Sequence, residues 1–269
     1  MRACDTPEYV YQNCSDDFVL RVKKLAWDAN IFGFSCARIE ELWLANEDGL
    51  ETIAEELQAL KQILKQQQVR FCDVRVHSQA PQLYTALLKA GFKEVDDCNI
   101  YLLSTKDYTQ RELSLSAQIQ HELGEGDREQ ILSFGSSAFR HSRIFNDEHI
   151  SEPQAIQFYE ALLRSLLQKP KTYISTVKED GKILGTCIGE IFTRNKLTKV
   201  AVLWAIAVSP GARGKGLSKI LLHDFMEHFR EQVEYYEIGT QANNVPANAL
   251  YQGAQLTAPI GIRSLHYWN

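Results

Sequence analysis

The stretch Val208-Ser-Pro-Gly-Ala-Arg213-Gly214-Lys215-Gly216-Leu217-Ser218 carries the clearest chemical signal in the sequence. An apolar run ends at Val208, Pro210 discourages its continuation, and glycines open a segment with helical periodicity. The first amides of a helix lack intrahelical acceptors and sit at the positive end of its dipole, so they favour an anion. Gly214 and Gly216 remove the Cβ atoms that would keep a pyrophosphate away. Arg213 and Lys215 add positive charge. A tight turn whose glycines serve geometry alone fits the same residues.

Two nucleotide motifs fail here. A P-loop needs Ser or Thr after Gly-Lys, and Gly216 follows Lys215, while Ser209 stands where the upstream Gly belongs. A dinucleotide fingerprint needs a third Gly where Lys219 stands. The segment instead resembles the Arg/Gln-x-x-Gly-x-Gly/Ala signature of the GNAT superfamily of N-acetyltransferases, with Ser218 in place of the last Gly or Ala. Downstream, Asn244-Val-Pro-Ala247-Asn-Ala-Leu250-Tyr251 resembles that family's Asn-x-x-Ala-x-x-Leu-Tyr element. Gln255-Leu256 replace the Gly-Phe that usually follows. The resemblance covers Leu115 to Asn269. A narrower one includes the first half: Leu25-Ala-Trp27-Asp28-Ala-Asn30-Ile31-Phe32-Gly33-Phe34 is similar to the Trp-Asp-x-x-Phe-Phe-Gly segment of the TDP-fucosamine acetyltransferases and their relatives, with Ile31 for the first Phe. Ala138 to Arg143 and Thr240-Gln241 are similar too. Those enzymes place a half-domain before the GNAT domain and acetylate the amine of a nucleotide-linked deoxyamino sugar.

The resemblance implies acetyl-CoA as co-substrate. Backbone groups of Ile206, Ala207 and Val208 would meet the pantetheine arm. Arg213, Gly214, Lys215, Gly216, Leu217, Ser218 and Lys219 would hold the pyrophosphate, and Asn244 would touch the arm. Tyr251 would be the general acid: an ordinary phenol, with a pKa of about 10, is protonated at neutral pH and can donate to the leaving thiolate. Without the motif, Tyr251 also reads as a core tyrosine. The base is open among Glu190, His141 and His149, each of which also fits an ordinary strand or loop position. No His-Glu-x-x-His or other ligand cluster occurs, so no metal is expected. The implied partner is a small-molecule amine, most concretely a TDP-linked amino sugar, with room for a homodimer. A protein N-terminus or a polyamine is a rival acceptor. A non-catalytic CoA-binding module is the rival from another class.

The elements that position these residues read as α/β. Glu51–Gln66 has helical spacing (Ile53, Leu57, Leu60, Leu64), Val69–Val76 alternates as a strand, Pro81–Lys89 is a helix stopped near Gly91, and Lys93–Leu103 is a strand. The polar stretch 104–112 marks a boundary between an α/β half-domain over 1–110 and a GNAT-like domain over 115–269, a mixed sheet flanked by helices. In the second part, strands are expected near Leu115–Glu122, Tyr173–Lys178, Ile183–Phe192, Lys199–Val208 (buried on both faces), Tyr235–Gln241 and Ile262–Trp268. Helices are expected over Arg128–Phe139 with Asp127 as N-cap, Ile156–Leu167, from Leu217, and around Ala247–Tyr251. The two halves echo each other: each ends in a strand, a short helix with Leu and Tyr, and an aromatic strand. That fits a degenerate duplication or two α/β units alike by chance.

Composition sets outer limits. The chain has 269 residues, 45% hydrophobic and 23% charged, which is globular and not disordered. Lys+Arg 29 against Asp+Glu 34 leaves −5, no global field for nucleic acid or anionic lipid. No apolar run nears the roughly 20 residues of a membrane span, and the first residues lack a signal-peptide core. Six scattered cysteines without Cys-x-x-Cys point to free thiols in a cytoplasmic protein.

Overall fold

Ile53, Leu57, Leu60 and Leu64 line one side of helix α2 (Leu50–Gln66), and all four are fully buried. Burying each stabilises the fold by about 1.5–3 kcal/mol, which is why so polar a helix docks. The computed structural model describes residues 9–15, 18–45, 49–109 and 118–269. They form two compact units. The first comprises residues 1–98, 146–154 and 261–269, the second 99–145 and 155–260.

In the first unit, β1 (Tyr9–Cys14), β2 (Phe18–Lys24) and β3 (Cys36–Leu44) form an antiparallel meander, with the short helix α1 (Ala26–Phe32) before β3. α2 crosses over to β4 (Phe71–His77), parallel to β3. α3 (Pro81–Lys89) then leads into β5 (Lys93–Ser104). The last strand of the chain, β11 (Ile260–Trp268), pairs antiparallel with β4. α2 and α3 cover one sheet face through Ile39, Val74, Leu87 and Leu265.

In the second unit, β6 (Ile119–Gln120), β7 (Tyr173–Glu179), β8 (Lys182–Arg194) and β9 (Thr198–Val208) are antiparallel neighbours. α4 (Asp127–Gly135) and α5 (Glu152–Gln168) pack on one face. α6 (Leu217–Phe229) packs on the other and crosses to β10 (Tyr235–Gln241), parallel to β9. α7 (Val245–Gly253) follows, and the second half of β5 lies beside β10.

The echo in the sequence is an echo of elements. β1-β2-β3-α2-β4-α3-β5 and β7-β8-β9-α6-β10-α7-β11 run in the same order and with the same parallel crossover. The last strand of each series is exchanged: β11 belongs to the first unit, and residues 99–104 of β5 belong to the second. The division expected at residue 110 is linear, whereas each observed unit is assembled from separate pieces of chain.

Four local expectations are corrected. Gly126, at φ +80°, precedes α4, and Asp127 is its first residue; the Asp127 carboxylate accepts from Gly124 N–H and Lys178 instead of capping. The helix expected to run to Phe139 tightens into a 3₁₀ turn over Ser136–Phe139, where Gly135 and two serines have weak helix propensity. β9 is not fully buried on both faces: Leu203, Ala205 and Ala207 are buried, while Val202, Trp204, Ile206 and Val208 are half-buried. Of the strand expected over Leu115–Glu122, only Ile119–Gln120 is a strand among the described residues; 110–117 lie outside them.

Gly189 on β8 is required by packing. A Cβ there would sit 2.3 Å from the Phe225 ring and 2.9 Å from the Val202 carbonyl oxygen. Gly189→Ala is expected to cost about 1–3 kcal/mol, read as a lower urea midpoint at unchanged slope.

Candidate active site

β9 and β10 begin as a parallel pair and then part. Their register runs from Tyr235↔Val200 to Ile238↔Leu203, although β9 continues to Val208 and β10 to Gln241. The cause is visible on the other side of β9. Ile188 faces Ala205 and Gly189 faces Leu203, so Trp204 is an extra residue, a β-bulge. A bulge bends its strand and reverses the alternation of side chains. Ala201 and Leu203 face α6, Ala205 faces α4 and α5, and Ile206 and Val208 face α6 again. The opening leaves the Trp204–Val208 backbone without a partner strand on the β10 side, where an extended ligand could pair with it.

The chain leaves this opening through a 3₁₀ turn, Pro210–Ala212, into Arg213 and the glycines. Gly214 at φ +78° and Gly216 at φ +77° take the left-handed conformation that favours glycine. A Cβ at Gly214 would meet nothing within 4 Å, so open space surrounds the turn. Gly216 is the N-cap of α6, and no side chain caps the helix amides. Arg213, Lys215 and Lys219 are exposed around them, and Leu217 anchors the turn in the core. Ser218 is half-buried and leaves the turn intact. A cavity of about 240 Å³ lies between α6 and α7, bounded by Lys219, Leu222, His223, Leu250 and Ala254.

Tyr251 projects from α7 into the same core as Leu217, Ile206 and Val208. It is 4% exposed and meets the Tyr101 ring edge-on at 5.8 Å. Burial raises its phenol pKa well above the ordinary value, and Cys187 and Tyr101 add to that. Cys187 is the β8 partner of Ile206, which puts Tyr251 near the β9 opening. The helix that carries it is tied down by Asn248. Asn248 Oδ1 accepts from the Tyr101 hydroxyl (2.7 Å) and Asn99 Nδ2 (2.9 Å), and its Nδ2 donates to the carbonyls of Gln241 and Asn244 (both 2.9 Å). Asn244 is the N-cap of α7: its Oδ1 accepts from Ala247 N–H at 3.4 Å and its Nδ2 donates to Thr240 at 3.1 Å. Asn244 thereby sets the direction of α7.

The candidate bases stand on different elements and have different partners. Glu190 on β8 accepts from Trp204 Nε1 (3.0 Å), Lys169 Nζ (3.1 Å) and Thr172 Oγ1 (3.1 Å), a clamp on the bulge residue. His141 is exposed after the 3₁₀ turn. His149 lies in the first unit, where its Nδ1 approaches Asp147 at 3.3 Å and its ring stacks on Trp268. Asp147 is buried. Its carboxylate accepts from His266 Nδ1 (2.5 Å), Trp268 Nε1 (2.9 Å) and His149 N–H (2.8 Å). Burial alone would raise its pKa; those hydrogen bonds outweigh it and hold the group at about 2. A depressed carboxylate stabilises the fold above its unfolded value near 3.8 and loses that contribution as pH falls toward 2. Acid titration of the unfolding free energy should therefore show about 2 kcal/mol lost across that window, and Asp147→Asn should abolish this part of the slope.

Residues 138–254 match the model of the acetyltransferase (GNAT) family. The match spans 117 of the 269 residues, so this part of the chain is similar to a GNAT domain. A Bacillus subtilis (strain 168) spore coat polysaccharide biosynthesis protein, SpsD, is 29% identical over 144 residues, 53% of this chain and 48% of that protein. The chain thus matches about half the length of this curated relative. The fold is shared with a GCN5-related N-acetyltransferase from Kribbella flavida (TM-score 0.61, 14% identity, 95% of this chain and 88% of that one). It is also shared with a tandem GNAT protein from the clavulanic acid biosynthesis pathway (TM-score 0.58, 13% identity, 94% and 79%).

The structure brings Ile206, Val208, Leu217 and Tyr251 to one core of the second unit, while His149, although inside the matched residues, belongs to the first unit. Sequence reasoning missed the Trp204 bulge and the roles of Asn99, Tyr101 and Asn248. Trp204 gives no local signal, because a bulge is seen only against the partner strand. Asn248 stands inside the Asn-x-x-Ala-x-x-Leu-Tyr element, and an Asn in mid-helix is a usable hint of a side chain bonded elsewhere. Among the described residues, no group of three or more His, Cys, Asp or Glu is arranged to hold a metal, and no helix is long and apolar enough to cross a membrane.

Proposed function

We propose that the chain transfers an acetyl group from acetyl-CoA to the amine of a small molecule, most concretely a TDP-linked amino-deoxy sugar, in the cytoplasm. The observation that carries this reading is the parting of β9 from β10 immediately before an uncapped helix start opened by glycines. Together they suit a donor with an extended amide-bearing arm and a pyrophosphate. In this reading, the backbone of Ile206, Ala207 and Val208 pairs with the arm. Gly214, Lys215, Gly216, Leu217, Ser218 and Lys219 offer amides and charge to the pyrophosphate, with Arg213 beside them. Asn244 acts by fixing the start of α7 at the arm. Tyr251 gives its phenolic proton to the departing thiolate sulfur. The sugar acceptor draws its support from the polysaccharide-biosynthesis relative and from the Trp27–Phe34 segment. The residues from 115 to 269 form the catalytic domain in this reading, and 1–110 a half-domain that serves the acceptor or a homodimer interface.

The test is release of free thiol from acetyl-CoA with a panel of amines. TDP-amino sugars should give the highest kcat/KM. Preference for polyamines or peptide N-termini would move the function to the rival acceptors, and no release with any amine would leave a non-catalytic CoA-binding module.

A further inference from the structure

Each unit carries the same irregularity at the same step of its sheet. In the second, β9 pairs with β10 as far as Leu203↔Ile238, and the next residue, Trp204, is the extra one. In the first, β3 pairs with β4 as far as Ile39↔Val74, and the next residue, Glu40, is extra: Val22 faces Ile39 while Arg21 faces Glu41. The two bulge residues are held differently. Glu40 is exposed and pairs with Lys23 on β2, and exposed ion pairs contribute little. The bulge itself thus does not depend on a buried clamp.

Trp204 nevertheless has one. It is half-buried, its ring meets Phe192 edge-on at 6.0 Å, and its Nε1 donates to Glu190 Oε2 at 3.0 Å. The Glu190 side chain is 12% exposed. Its carboxylate also accepts from Lys169 Nζ and Thr172 Oγ1, both at 3.1 Å. Those two residues stand in the connection from α5 to β7, so one carboxylate joins β8, the β9 bulge and that connection. A carboxylate offers about four lone-pair sites, and an indole N–H can only donate. Three donors therefore fill most of Glu190, which suits an anchor and leaves little room to take a proton from an amine. A bulge sets the direction of the strand beyond it. Beyond Trp204 that strand is the open backbone that ends at Val208.

We propose that Glu190 is a positioning residue for the acetyl donor: through the Trp204 indole it fixes the open backbone of β9 along which the donor's arm lies, and it is not the base. This rests on the acetyl-CoA reading. The experiment is titration calorimetry of CoA on the full chain, with circular dichroism to verify the fold. Glu190→Ala and Trp204→Phe should each weaken CoA by about fivefold, the scale of one net hydrogen bond. The double variant should be no weaker than the worse single one, because the two side chains act as one contact. Glu190→Gln should rescue affinity to within about twofold, since its amide oxygen can accept from Trp204 and its amide N–H can donate to Thr172. In thiol release with TDP-fucosamine as the amine, the losses should fall on the acetyl-CoA KM and not on kcat. A general base would behave otherwise, with kcat lowered about 100-fold or more in Glu190→Gln as in Glu190→Ala. Calorimetry decides the positioning role even where that amine is not turned over. Wild-type affinity in both single variants, additive losses in the double one, no rescue by Gln, or a collapse of kcat in Glu190→Gln would each overturn the proposal. A wild type that binds no CoA would remove the acetyl-CoA reading and this role together, whereas equal affinity in wild type and Glu190→Ala would remove the role alone.

Discussion

Tyr251→Phe is expected to lower kcat about 100-fold while acetyl-CoA affinity stays at the wild-type value. The substitution keeps the ring that packs against Tyr101 and deletes only the phenolic proton. Burial raises the phenol pKa, so the proton is present throughout the neutral range, which suits an acid and not a base. General acid catalysis contributes about 100- to 10,000-fold. The lower end applies because the departing thiol has a pKa near the cysteine reference of about 8.5 and leaves tolerably as a thiolate. Because burial raises the phenol pKa, the wild-type rate should show no alkaline limb from Tyr251 below about pH 10. Steady-state kinetics beside a CoA titration decide the matter. Wild-type turnover in the variant would reduce Tyr251 to a packing residue.

Gly216→Glu is expected to weaken CoA binding by on the order of 100-fold or more, since like charges brought together cost several kcal/mol. Two effects add. At φ +77° any residue with a Cβ is strained by about 1–2 kcal/mol. The new carboxylate also occupies the N-cap of α6, where the helix dipole would otherwise face a phosphate. Gly216→Ala separates them, because it carries the strain without the charge and should weaken binding by much less. Calorimetry on both variants, with circular dichroism to verify the fold, reads the result. Intact CoA affinity in a folded Gly216→Glu protein would show that the pyrophosphate lies elsewhere.

Local pattern was enough for the elements that build the turn and its helix. The period of Ile53, Leu57, Leu60 and Leu64 specifies α2, and the alternation over 235–241 specifies β10, because helix and strand periods are written in neighbouring residues. Gly214 and Gly216 mark a turn by residue type and spacing alone, and both take the left-handed backbone that glycine permits. The first three strands carried no comparable signal: β1 and β3 mix polar and apolar residues without clean alternation, and their pairing depends on partners far along the chain.

By itself, then, the sequence determined the α/β class, the glycine turn at Arg213–Lys219 as a candidate anion site, and the candidate acid at Tyr251. Tertiary structure alone decided that Trp204 bulges and opens β9 from β10, that Glu190 serves as its clamp, and that β11 joins the first unit while part of β5 joins the second. It also decided that Asp147, His149, His266 and Trp268 meet, although Asp147 and His266 are separated by 119 residues. The physical reason is common to all of these. Turn conformation and helix periodicity are properties of a few adjacent residues, whereas bulges, strand exchange and buried polar clusters are properties of which distant strand lies alongside, and many pairings share the same local pattern.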